Sequence, residues 1–271
     1  MSKRADATGA ALVLLVAMLC GQGARAASLQ LEELTWTELQ QRIHAGTTSV
    51  LVPLGGTEQN GPHMALGKHN VRVRLLAALI AERLGNAVVA PVLAYVPEGA
   101  IAPPTQHMRW PGTISIPDAA FQATLEGAAR SLKQHGLCQV VLLADHGGYR
   151  ASVLAVATRL NREWQATPCR VHALPEYYLA ASVDYAKALA AKGFSAAEIG
   201  GHAGLADTSL TLAVAPALVR SEALALSQRD HNGVAGDPAR ASAELGRPGI
   251  AHIVETTVAA IRAAIAVRPT R

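Results

Sequence analysis

Apolar and polar positions along the chain sort into two alternating kinds of segment. Ser49–Leu54 (SVLVPL), Ala87–Val92, Cys138–Leu143 (CQVVLL) and Arg170–Leu174 are short and β-rich. Their apolar residues run without strict alternation, which predicts strands buried on both faces. Between them, Asn70–Leu84, Asp118–Gln134 and Ala151–Trp164 are longer and helical in type. This β-α-β-α order predicts an α/β fold, a mostly parallel sheet flanked by helices. Beyond residue 175 the pattern turns helical, over Leu179–Ala191, Ser209–Ala215 and Gly249–Val267, with a Gly/Pro-bearing loop at 230–248. The stretch 95–117 holds five prolines and no periodicity. It reads as a long ordered loop, and loops of that length are often functional.

The N-terminus changes what the rest must be. Lys3 and Arg4, an apolar run from about Ala10 to Leu19, and Ala24-Arg25-Ala26 form the pattern of a secretory leader cleaved after Ala26. The competing reading is an uncleaved anchor, for which the apolar run is short. No other segment reads as long and apolar enough to cross a membrane. The expectation is an exported, periplasmic protein made of a leader, residues 1–26, and one domain, residues 27–271. Residues 27–271 suffice for one large core. Without the leader, 21 basic residues face 19 acidic ones, and the formal charge falls from +4 to +2. The basic residues are scattered and not interleaved with aromatics, so no nucleic-acid partner is expected. Cys138 and Cys169 each open a predicted strand. A disulfide between neighbouring strands and two buried thiols both fit them.

Open parallel sheets bind ligands beyond the carboxyl ends of their strands. There, Gly55–Asn70 packs Glu58, His63, His69, Gln59 and Asn60 into a glycine-rich loop, and the third predicted strand leads into Asp145 and His146. A glutamate and two histidines with one open position are a ligand set for a catalytic divalent metal, though loop histidines also serve as plain hydrogen-bonding residues. His202 stands among small residues in Gly200–Ser209, as an active imidazole or a structural one. Asp207 reads as a helix-capping or orienting residue. Neither a GxxxxGK[ST] nor a GxGxxG phosphate loop is present, and no GxSxG elbow or CxxC pair occurs. The remaining histidines, His44, His107, His135, His172, His231 and His252, have no clustered partners. His107 is set apart by its place in the long loop beside Trp110.

Five ordered motifs then resemble the creatininase (creatinine amidohydrolase) family. GGTEQNGPHMALGKH, from Gly55 to His69, is similar to the family's G-S-x-E-Q-H-G-P-H-L-P-L-x-x-D. Pro111–Ile116 matches P-G-T-I-S-[IL], Ala144–Tyr149 resembles N-G-H-G-G-N, and His202–Ser209 resembles H-[AG]-G-x-x-E-T-S. Gly236-Asp237-Pro238, Ala241-Ser242 and Gly246 match the C-terminal G-D-P…A-S…G. The resemblance implies a three-layer α/β fold, a homo-oligomer (often a hexamer), and hydrolysis of C–N bonds in small cyclic or linear amides at a zinc or manganese centre. It places the first metal on Glu58, His69 and His146, and the second on Asn60, His69 and Gly148, or on Leu205 in place of Gly148. The second set lacks good donors, so the expectation is a mononuclear Glu58/His69/His146 site, with His202 in proton transfer. Gly201 stands where creatininase has a glutamate, which argues against creatinine as substrate. Two alternatives follow from the same losses: a catalytically inactive small-molecule binder or scaffold, and a two-metal site with a rearranged shell that recruits His63, Asp145 or Asp207.

Overall fold

The computed structural model describes residues 28–228 and 232–267. The expected leader and its cleavage point at Ala26 lie outside them, as does His231. Strands β1 (Ser49–Leu54), β2 (Ala87–Val89), β3 (Gln139–Ala144) and β4 (Arg170–Ala173) form one sheet in the order β2-β1-β3-β4, with every pair parallel. The predicted mostly parallel sheet flanked by helices is therefore the fold observed. Side chains alternate between two cores, as strand geometry dictates. Leu51, Val141 and Leu143 point into one core and Val50, Val52, Leu54, Val140 and Leu142 into the other.

Helix α1 (Trp36–His44) opens with a capping box between Thr35 and Glu38. α2 (Lys68–Leu84), α5 (Glu176–Leu179), α6 (Tyr185–Ala191), α8 (Leu205–Val214) and α9 (Ala243–Ala266) supply residues to the Leu51 core. α3 (Asp118–Gln134) and α4 (Arg150–Glu163) cover the other face. α7 (Ala196–Ile199) is a single capped turn. Ala180–Asp184 forms a π turn between α5 and α6, so the single helix expected over Leu179–Ala191 is interrupted.

Several boundaries move, each for a local reason. β2 ends at Val89 rather than Val92: Pro53 in β1 has no N–H for the ladder, and its carbonyl accepts from Leu93 N. α8 begins at Leu205, four residues before the expected Ser209. α9 begins at Ala243, within the expected loop, because the Ser242 side chain caps it at Leu245 N. Pro248, the sixth residue of α9, is inside the helix, where its nitrogen cannot donate to Glu244 O and its ring crowds that carbonyl. Gly246 lets α9 approach α8, since a Cβ there would stand 2.0 Å from Ser209 O. By length and hydropathy α9 is sufficient to cross a membrane, which corrects the expectation that nothing beyond the leader is. Its Ile250, Ile253, Val254, Val258 and Ile261 nonetheless belong to the buried core.

Cys138 and Cys169 are joined as a disulfide between the starts of β3 and β4, which resolves the two readings of this pair. After β1 the chain builds β2 on one side of it and β3 on the other. The carboxyl ends of β1 and β3 thus flank the crevice where such sheets bind ligands.

Candidate metal centre

The loop leaving β1 places Glu58 at the floor of this crevice, with no exposure. His69 Nε2 donates to its Oε1 at 2.8 Å, and Lys68 Nζ lies 3.9 Å from the same oxygen. His202 Nδ1 is 3.7 Å from Oε1. His107 Nε2 and His146 Nε2 stand 3.2 and 3.4 Å from Oε2, yet Oε2 makes no hydrogen bond. Burial opposes ionisation of Glu58. The hydrogen bond from His69, with the charges of His69 and Lys68, outweighs it and holds the carboxyl well below the usual range.

α2 runs under this loop and presents Lys68, His69 and Arg72 to two more buried carboxylates. Asp145, directly after β3, accepts from His69 Nδ1 at 2.5 Å, from Arg72 Nη2 at 2.8 Å and from the Tyr177 hydroxyl at 2.6 Å. Asp207, in the first turn of α8, pairs with Lys68 and accepts from Arg72 Nη1 at 2.6 Å and from Ala203 N at 3.0 Å. Burial raises both aspartates, but Arg72 beside Asp145, and Lys68 and Arg72 beside Asp207, hold them below the ordinary value. His69 is lowered by burial and by Lys68, but its hydrogen bonds to Asp145 and Glu58 prevail and raise it. As an imidazolium it brings the cations of the network to three, matching Glu58, Asp145 and Asp207.

Glu98 is the carboxylate left over. It comes from the long loop after β2, is 1% exposed, and neither of its oxygens makes a hydrogen bond. Its Oε2 is 3.4 Å from His146 Nδ1. Burial first, then the facing Glu58 carboxylate, pushes it up to about 9. Burial likewise lowers His146 to about 3 and His202 to about 4, so both imidazoles are neutral at pH 7.

Gln59 sets the ring orientations on the other side. Its Oε1 accepts from Gly61 N at 2.9 Å, which makes Nε2 a donor to Gly233 O at 2.9 Å and to His107 Nδ1 at 3.1 Å. His202 Nε2 is 2.9 Å from the Gln59 carbonyl oxygen and 3.1 Å from Gln59 Nε2. His202 Nδ1 is the ring nitrogen that faces Glu58. His107, His146, Gly148, Tyr178 and His202 help to line a cavity of about 360 Å³ above Glu58.

The structure thus gathers Glu58, His69, His146 and His202 around one point. His69 has both nitrogens committed to carboxylates, so to bind an ion it would have to give up its bond to Glu58. His63 pairs with Thr208 Oγ1 at 3.0 Å, and Asp145 and Asp207 are engaged by cations. Asn60 donates to Glu58 O and Ala65 O, bracing the loop. Gly148 and Leu205 offer no side-chain donor. Among the described residues, two groups have ligand atoms mutually close enough to hold a cation: Glu58 with Glu98 and His146, and Glu58 with His107 and His202. Sequence reasoning marked His107 only by its loop and passed over Glu98. The length of that loop was the one signal available.

The family model described as creatinine amidohydrolase matches residues 32–261. Creatinine amidohydrolase of Pseudomonas putida is 33% identical over 195 residues, covering 69% of this chain and 72% of that protein. The mycofactocin precursor peptide peptidase of Mycolicibacterium smegmatis is 32% identical over 143 residues, 50% of this chain. That match spans 55% of the peptidase's length. A mutant creatininase of Zn-Zn type superposes with a TM-score of 0.72 at 26% identity, covering 89% of this chain and 99% of that one. The structure described as creatininase Mn gives a TM-score of 0.72 at 27% identity, over 89% and 100% of the two chains.

Proposed function

Since the chain belongs to the creatininase family, we propose that it is a metal-dependent hydrolase of C–N bonds in small amides, with its metal on Glu58 and His146. The observation that carries this is Glu58 Oε2, buried and without a hydrogen bond although two imidazole nitrogens lie within 3.4 Å. The residues present suit a divalent ion. They combine carboxylate oxygens with neutral imidazoles, the donor types that zinc and manganese accept. Bound there, either metal supplies Lewis acidity, polarising an amide carbonyl and acidifying a water.

The chain's own residues do the rest. His202, a neutral ring with Nδ1 facing Glu58, accepts a proton from the attacking water on its unprotonated nitrogen. The same nitrogen returns it to the leaving amine, and its burial keeps the ring neutral and ready to accept. Lys68 and His69 fix the charge and direction of Glu58 from behind. A cavity of about 360 Å³ admits a small cyclic or linear amide. Gly201 stands on its wall with no side chain to add specificity.

The mature chain, treated with a chelator and then restored with Zn²⁺ or Mn²⁺, is the test. A panel of cyclic amides, lactams, N-formyl compounds and short peptides should show turnover that vanishes with the metal and returns with it. Absence of any metal-dependent turnover would favour the inactive binder or scaffold. We also propose export to the periplasm and assembly as a homo-oligomer. The Cys138–Cys169 disulfide supports the first, because such bonds persist in oxidising compartments. Cell fractionation and light scattering test these two.

A further inference from the structure

We propose that Glu98 is a metal ligand in this chain, completing with Glu58 and His146 the site from which position 148 supplies no carboxylate. The inference rests on the metal-dependent reading above and names the donor which that reading leaves open.

Glu98 is almost wholly buried, and neither carboxylate oxygen has a hydrogen-bond donor. Burying a charge this way is costly unless a cation or a proton meets it. The cations near it face elsewhere, Lys68 toward Asp207 and Arg72 toward Asp145 and Asp207. His146 Nδ1 accepts from Gly148 N at 3.2 Å and stands 3.4 Å from Glu98 Oε2. Unless a cation is bound, only a proton on Glu98 relieves the confrontation of His146 Nδ1 with two carboxylates, and the ligand atoms of all three residues lie within 4.8 Å of one another.

Space around the carboxylate fits this role. A Cβ on Gly56 would stand 2.4 Å from Glu98 Oε1, so glycine there opens the seat that Glu98 occupies. A Cβ on Gly148 would stand 2.9 Å from His146 Cε1 and 3.7 Å from Pro97 O. The backbone just before Glu98 therefore comes up beside position 148, and the loop brings its carboxylate to the imidazole that Gly148 adjoins. The loop is pinned there. Glu98 N donates to Ser115 Oγ at 3.0 Å, and Ser115 Oγ donates to Gly99 O at 2.7 Å.

Co²⁺ titration of the mature chain, followed by visible absorption and calorimetry, tests the assignment on the wild type, Glu98→Gln, Glu98→Asp and Glu58→Gln. The wild type is expected to bind Co²⁺, and Glu58→Gln to lose it. Losing a hydrogen-bond partner of a ligand typically weakens metal binding about 10–100-fold. Glu98→Gln should weaken it at least about 100-fold and alter the spectrum, with an unchanged or higher melting temperature of the metal-free protein. Glu98→Asp, which withdraws the carboxylate by one methylene, should fall between, and it serves if Glu98→Gln fails to fold. Wild-type affinity and spectrum in Glu98→Gln, or in Glu98→Asp where that is the variant read, would overturn the proposal and mean that a proton alone meets Glu98. If the wild type itself bound no Co²⁺, the metal-dependent reading would fall with it. Loss on Glu58→Gln without loss on the Glu98 variants would sink this inference only.

Discussion

His202 Nε2 lies against the Gln59 carbonyl oxygen and Gln59 Nε2, which leaves Nδ1 as the nitrogen facing Glu58. The one lone pair of the neutral ring can take a proton or, in the group with Glu58 and His107, an ion. The two roles predict different data. His202→Ala should reduce kcat by about 10²–10⁴-fold on any amide the panel identifies, with the metal content of the purified protein unchanged. A parallel fall in metal content would instead make His202 a ligand. Gln59 Nε2 lies 3.1 Å from both His202 Nε2 and His107 Nδ1, so Gln59→Leu, which removes these side-chain contacts, should reduce kcat while sparing metal content. At this scale the sequence was informative for His202 and Glu58, which lie in motifs. For His69 it could name the position but not the partners. Only the fold shows both ring nitrogens already held by Glu58 and Asp145.

α2 carries more of the site than its composition suggests. Lys68, His69 and Arg72 sit within its first turns, where an apolar pattern shows only that one face is core. Arg72 neutralises Asp145 and Asp207, which arrive from the end of β3 and the start of α8. Replacing Arg72 by Met strips a buried ion network of one partner. The expected cost is about 3–5 kcal/mol of unfolding free energy, measured by urea denaturation, because two buried carboxylates lose their shared cation. A cost below about 1 kcal/mol would show that Lys68 and His69 carry the balance without it. The element boundaries teach a related lesson. The Thr35–Glu38 capping box of α1 is a T-x-x-E that sequence reasoning passed over, and the early start of α9 falls inside the Gly/Pro-bearing loop expected at 230–248.

Across the whole molecule, the site and the disulfide occupy opposite ends of the sheet. Glu58 and His146 follow the carboxyl ends of β1 and β3, and Cys138 and Cys169 lie before the first residues of β3 and β4. The chain of residues 27–271 alone, prepared under oxidising conditions, should therefore show no free thiol when denatured. Reduction should lower its unfolding free energy by about 2–4 kcal/mol while leaving Co²⁺ affinity unchanged. A drop in affinity on reduction would mean that the two edges are coupled. The sequence by itself determined the α/β class, the parallel sheet and the motif residues Glu58, His146 and His202, because buried strands and loop motifs are local patterns. Tertiary structure alone decided which carboxylates are paired with cations and which is not. Glu98 lies 40 residues after Glu58 and 48 before His146, in a stretch without periodicity. Its burial, and the absence of any donor for it, arise only when the loop after β2 folds over the crevice between β1 and β3.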